Sequence, residues 1–119
     1  MDERFEDAEK LYRAVTPTDM FMKADGTITS AAFKSSDGCS VDRGNYREDE
    51  EAAAFMKQSL SGSIYMFFVK DCRDRDIFSR YEPIETNPYH SGLYKNETLD
   101  KMTPGQCKHL ASVAKCVMT

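Results

Sequence analysis

In the first fifteen residues the apolar side chains fall at Phe5, Ala8, Leu11, Tyr12 and Val15, with Glu3, Glu6, Asp7 and Glu9 among them. That spacing returns to one face every three to four residues and predicts an amphipathic helix, its acids favouring the positive N-terminal end. Pro17 closes it, because a proline pushes the preceding residue out of the helical region. A polar connector runs to the turn pair Asp25-Gly26. "TITSAAF" mixes β-branched and apolar residues and predicts a strand over 27–33. Asp37-Gly38 is a hairpin-turn signal, with "CSV" as a short return strand. "NYREDEEAAAFMKQSL" carries an apolar face of Ala52, Phe55, Met56 and Leu60 and predicts a second helix. Asn45 and Glu48 stand at capping-box spacing before it, and Ser61-Gly62 stops it.

The stretch 63–70, "SIYMFFVK", is nearly continuously apolar, as a central strand covered on both faces would be. "DCRDRD" reads as a charged turn. "IFSRYEPI" alternates like a half-exposed strand, and Pro83 marks its end or a sheet edge. A turn at Asn87-Pro88 leads into a short strand around His90–Tyr94. The last element is a helix. Thr103 is its N-cap, Pro104 its first residue, and Gln106 completes a capping box. Cys107, Leu110, Ala114 and Val117 form its apolar stripe, with Lys115 in the final turn. The order helix, two strands, helix, three strands, helix predicts one α+β domain over 1–119, a mainly antiparallel sheet flanked by about three helices.

Composition agrees with a single packed core: 119 residues, 40% hydrophobic and 11% aromatic. The net charge of −4 is concentrated in the first half of the chain. No Lys/Arg block is present, which argues against nucleic-acid binding. The chain opens on acids instead of a basic and then apolar leader, and its longest apolar run, 64–69, is too short to span a bilayer. A cytoplasmic location without a membrane partner is therefore expected. The four cysteines form no C-x-x-C pair and are expected to be reduced. Cys107 and Cys116, placed on opposite faces of the last helix, should not bridge. The spacings of Cys39, Cys72, His90, Cys107 and His109 fit no zinc pattern, so no metal is expected and buried small side chains are the plain reading. Glycine-rich nucleotide loops are lacking, and no cofactor is expected.

Three stretches concentrate the polar chemistry: "LYRAVTP" (11–17), "SAAFKSSDGCSVDR" (30–43) and "NPYHSG" (87–92). Together they resemble a group of small bacterial and phage-type proteins of uncharacterised activity, which share L-Y-R, S-A-F, S-V-D and a late P-x-H before a final helix. The resemblance implies a compact single domain and points to Arg13, Ser30, Phe33, Ser40, Asp42 and His90. Each has a plain reading. Arg13 pairs with Glu9 or another acid on a helix surface; Ser30 bonds strand backbone; Phe33 lies in the core; Ser40 and Asp42 satisfy turn amides; His90 caps a loop. The functional alternative gathers Arg13, Ser30, Ser40, Asp42 and His90 into one polar pocket.

Three functions compete. The expectation is a small acidic protein-binding or regulatory module, whose acids at 48–51 and near the N-terminus would steer a basic protein partner; a homo-oligomer is compatible with it. The second is a small hydrolase, with Ser30 or Ser40 as nucleophile, His90 as base and Asp42 orienting it. The G-x-S-x-G elbow is missing. The third follows a loose resemblance to ADP-ribosyltransferase toxins, in the order "LYR", "TITSAAF" and Glu82 or Glu85. In that family Arg holds a phosphate of NAD, Ser shapes the nicotinamide pocket and Glu engages the ribose. Here the Arg-to-Ser interval is short and no E-x-E or Q-x-E occurs.

Overall fold

The computed structural model describes all 119 residues. Its elements are β1 (Lys10–Val15), a 3-10 helix (Ser30–Phe33), β2 (Cys39–Arg43), α1 (Asp49–Lys57), β3 (Ser63–Phe68), α2 (Val69–Arg73), β4 (Phe78–Tyr81), β5 (His90–Tyr94), α3 (Pro104–Val113) and β6 (Lys115–Met118). The six strands form one sheet in the order β4-β5-β2-β1-β3-β6, and every neighbouring pair is antiparallel. The α+β class expected from the sequence is the class the chain adopts.

Both faces of the sheet are covered. Leu11, Val15, Val41, Phe67 and Leu93 face the main core, where Phe33, Cys72 and Leu110 close over them. Tyr12, Ile64 and Met66 face the other way, beneath Ala52, Ala53 and Met56 of α1. Double coverage is why β3 is buried at every residue from Ser63 to Phe67, as its continuous apolar run predicts. Phe33 is fully buried and meets Phe67 edge to face at 5.5 Å between centroids.

Several sequence expectations are corrected. The first fifteen residues hold no helix: 10–15 form β1, laddered to β3 from Lys10↔Phe68 to Val15↔Ser63. In a strand covered on both sides, adjacent apolar residues such as Leu11 and Tyr12 each find a core, so a helix-like spacing is satisfied with period two. No strand forms over 27–33. Ile28 makes only an isolated bridge to Met22, and 30–33 wind into the 3-10 helix. That winding buries the consecutive Ala32 and Phe33 together, which alternation along a strand would not. The Asp37-Gly38 bend consequently joins no hairpin; β2 pairs with β1 and β5. Gly38 matters there for a different reason: a Cβ at 38 would meet the outer end of the Tyr94 ring, which would have to shift.

The box of Asn45 and Glu48 does not form. Asn45 and Tyr46 have left-handed φ of 49° and 62°, and Glu48 stands at the N-cap without a side-chain bond. Asp49 instead receives Tyr12 Oη at 2.6 Å and Lys10 Nζ at 3.1 Å. The charged stretch expected as a turn begins inside α2, whose Cys72 is buried. The last helix ends at Val113, and residues expected in its final turn, Lys115 and Val117, lie on β6, as does Cys116. Pairing with β3 satisfies that strand's second edge, a demand that local periodicity does not register. Thr103 and Gln106 form the expected capping box. β4 is an edge strand and β5 spans His90–Tyr94, both as expected.

Candidate functional site

Asp42 is the fourth of the five residues of β2, directly across from Tyr12 of β1 and His90 of β5. These three share the α1 face of the sheet. Ser40, two residues earlier, shares it by alternation. The ladder between β1 and β2 stops after Leu11↔Arg43 and Tyr12↔Asp42. Beyond it the Arg13 guanidinium joins the strands, donating to the Ser40 carbonyl at 2.7 Å and the Ala32 carbonyl at 3.1 Å. Arg13 therefore does not pair with Glu9.

A cavity of about 390 Å³ opens here, between the sheet, the end of α1 and the 84–87 loop. Arg13, Ser40, Asp42 and His90 line it, together with Asn87 and Thr86. Four of the five sequence candidates thus converge. Ser30 does not; it borders a separate depression beside Tyr65 and Lys108. Neither Glu82 nor Glu85 lines the cavity, and the Glu82 carboxylate accepts from Tyr94 Oη at 2.6 Å.

Asp42 is 3% exposed. Its Oδ1 accepts from Asn87 Nδ2 at 2.8 Å, while Oδ2 is buried and has no hydrogen-bond partner. Burial raises its pKa above the ordinary carboxylate value; the Asn87 bond and the charges of Arg47 and His90 oppose that rise without cancelling it. The amide of Asn87 is oriented by a second bond, since its Oδ1 accepts the Tyr89 N–H at 2.9 Å. Ser40 and Asp42 are strand residues rather than the turn-satisfying groups of the plain reading.

His90 Nδ1 lies 2.9 Å from the Glu82 carbonyl, which can only accept, so Nδ1 carries the proton. Nε2 stands 3.3 Å from Ser40 Oγ, and in the neutral ring it is the acceptor of that contact. Asp42 makes no bond to His90. The hydrolase constellation of the sequence is corrected accordingly: Ser30 is elsewhere, Ser40 takes its place, and a backbone carbonyl orients the imidazole.

Part of the lining is apolar. Phe55 and Met56 of α1 continue to Leu60 and Ile84 at the mouth, which are 46% and 52% exposed. The first turn of α1 carries Asp49, Glu50 and Glu51. Of the acids expected to face a partner, Glu48, Glu50 and Glu51 are exposed and Asp49 is half-buried.

Two constellations were missed by sequence reasoning. Arg43 is buried against Glu9, with Nε to Oε2 at 2.7 Å and Nη2 to Oε1 at 2.8 Å. It also donates to the carbonyls of Asp2 and Arg4 and stacks on Phe5 and Tyr81, at 4.3 and 4.9 Å from the ring centroids. Four of its five N–H donors are used inside the protein, so this is a structural clamp. Asp71, Asp74 and His109 bring ligand-type atoms within 4.8 Å of one another. Each already has a protein partner: Asp71 takes the Phe68 N–H, Asp74 takes Lys70, and His109 donates to the Asp71 carbonyl. All four cysteines are free thiols, and three are buried, as the plain reading expects. No helix is long and apolar enough to cross a membrane. No family model, no curated protein and no solved structure matches this chain.

Proposed function

We propose that the protein is a cytoplasmic recognition module that binds a partner protein by seating one of its basic side chains in the Asp42 cavity. The carrying observation is the buried Asp42 carboxyl, one oxygen of which has no partner, in a cavity whose mouth exposes Leu60 and Ile84. A buried acceptor without a donor is costly, and a donor delivered by a ligand relieves that cost. Exposed apolar residues around a polar floor are the usual anatomy of a docking pocket. The exposed acids of α1 lie on the same helix as the cavity wall and would speed encounter with a basic partner.

The test is a fluorescence-anisotropy screen of short peptides, each with a central basic, neutral or acidic residue between leucines. Basic members bind, their affinity falls with salt, and Asp42→Asn weakens them about tenfold. Equal binding of neutral peptides, or an Asp42→Asn protein that binds as the wild type does, sinks the proposal.

The Ser40–His90 contact favours a second reading, a hydrolase using Ser40 as nucleophile and His90 Nε2 as base. A fluorophosphonate probe labels Ser40 under that reading, and His90→Ala abolishes the label. An unlabelled protein removes it and leaves the recognition module.

A further inference from the structure

We propose that Asp71, Asp74 and His109 form a site for a divalent transition ion of the zinc class, which clasps the end of α2 to α3. The site lies apart from the Asp42 cavity and does not depend on how that cavity is read. Its residues come from two elements. Asp71 lies in α2 and Asp74 is the C-cap of that helix, three residues on and so on the same side. His109 reaches them from α3, 38 positions from Asp71 in the chain. Their ligand-type atoms lie within 4.8 Å of one another, yet His109 makes no ion pair with either carboxylate.

The bonds these groups make within the protein use only part of each. The Phe68 N–H goes to Asp71 Oδ2 and leaves Oδ1. Lys70 Nζ goes to Asp74 Oδ1 and leaves Oδ2; that pair is open to solvent on both sides, so it is weak and yields readily. His109 Nε2 lies 3.0 Å from the Asp71 carbonyl, which can only accept, so in the neutral ring Nδ1 carries the lone pair. A histidine that binds a metal through one nitrogen ordinarily donates from the other to a carbonyl or carboxylate, which fixes the ring. Nitrogen and oxygen ligands stand about 2.0–2.2 Å from such an ion, so two of them on one ion are at most about 4.4 Å apart. A small rotation of the exposed Asp74 side chain brings the cluster to that spacing. One imidazole beside two carboxylates suits the zinc class better than Mg2+ or Ca2+, whose sites are built from oxygen. The two carboxylates balance the charge of the ion, and three protein ligands leave a position for water at this exposed corner.

The experiment is a titration of the whole reduced chain with Co2+, a zinc stand-in whose visible bands report its ligands, followed by competition with Zn2+ and with Mg2+. The bands saturate at one Co2+ per chain; Zn2+ removes them and Mg2+ does not. His109→Ala and Asp74→Ala each weaken binding by about tenfold or more, since even an outer-shell change costs that much. Asp74 is exposed, so its variant keeps the fold and reads the ligand alone. His90→Ala and Cys116→Ser, which alter the other histidine and the one exposed thiol, leave the titration unchanged. No bands at any Co2+ concentration the protein tolerates would overturn the proposal. So would bands that survive both His109→Ala and Asp74→Ala, or that disappear with His90→Ala or Cys116→Ser, because the ion then sits elsewhere. Displacement by Mg2+ as readily as by Zn2+ would overturn the zinc-class assignment.

Discussion

Asp42 is held where its charge is unfavourable. Three neighbouring strands and α1 exclude water from it, one amide bonds one oxygen, and the other oxygen is left bare. The sign of the consequence follows from linkage. An acid whose folded pKa is raised above its unfolded value of about 3.9 binds protons more readily in the folded state. Its ionisation therefore opposes folding as the pH rises from about that value through the folded pKa. Asp42→Asn removes the penalty and keeps an acceptor for Asn87. The variant is expected to be at least as stable as the wild type at neutral pH, and its advantage shrinks toward about pH 4. Urea midpoints of the two proteins across that range check this. A variant clearly less stable at neutral pH would show that the native carboxylate is compensated. A destabilising residue that lines a cavity is what a binding site looks like when function and stability pull apart.

Among the elements, the two longer helices begin for different reasons. α3 is specified locally: the Thr103 hydroxyl accepts the Gln106 N–H at 3.1 Å, and Gln106 Oε1 returns the favour to the Thr103 N–H at 2.9 Å. Thr103→Ala is expected to cost about 1 kcal/mol in denaturant unfolding. Glu48→Ala, at a helix start with no side-chain cap, changes little. Equal losses at the two positions would mean that Thr103 acts through something other than its cap. The start of α1 is fixed by the sheet beneath it, through the bonds of Tyr12 and Lys10 to Asp49. Those bonds hold Asp49 below its usual carboxylate range, with Tyr12 the main cause.

For the whole molecule, the Arg43–Glu9 clamp fastens the N-terminal segment to the sheet. Glu9 and Arg43 are 1% and 2% exposed, so removing one partner strands a buried charge. Glu9→Ala is expected to cost about 3–5 kcal/mol, read from equilibrium unfolding. Replacing both, as Glu9→Leu with Arg43→Met, costs less than the single change, because neither charge is then left alone. A double variant as damaged as the single one would assign the loss to packing around Phe5 and Tyr81 instead.

The sequence by itself determined the class, the buried run of β3, the edge strand ended by Pro83, the strand at His90 and the cap of α3. These signals are written in adjacent residues, as turn and cap chemistry or as uninterrupted hydrophobicity. It also marked four of the residues that line the cavity, because "LYRAVTP", "SVDR" and "NPYHSG" concentrate side chains that bond and titrate. Tertiary structure alone decided that 10–15 and 115–118 are strands, since each is fixed by the open edge of β3 and by cores on both sheet faces. It decided that Ser30 stands apart, because the backbone winds to bury Ala32 and Phe33 together. And it made Asp42 singular: a sequence shows that an aspartate is present, but only the packing of three strands and a helix determines how many of its oxygens find a partner.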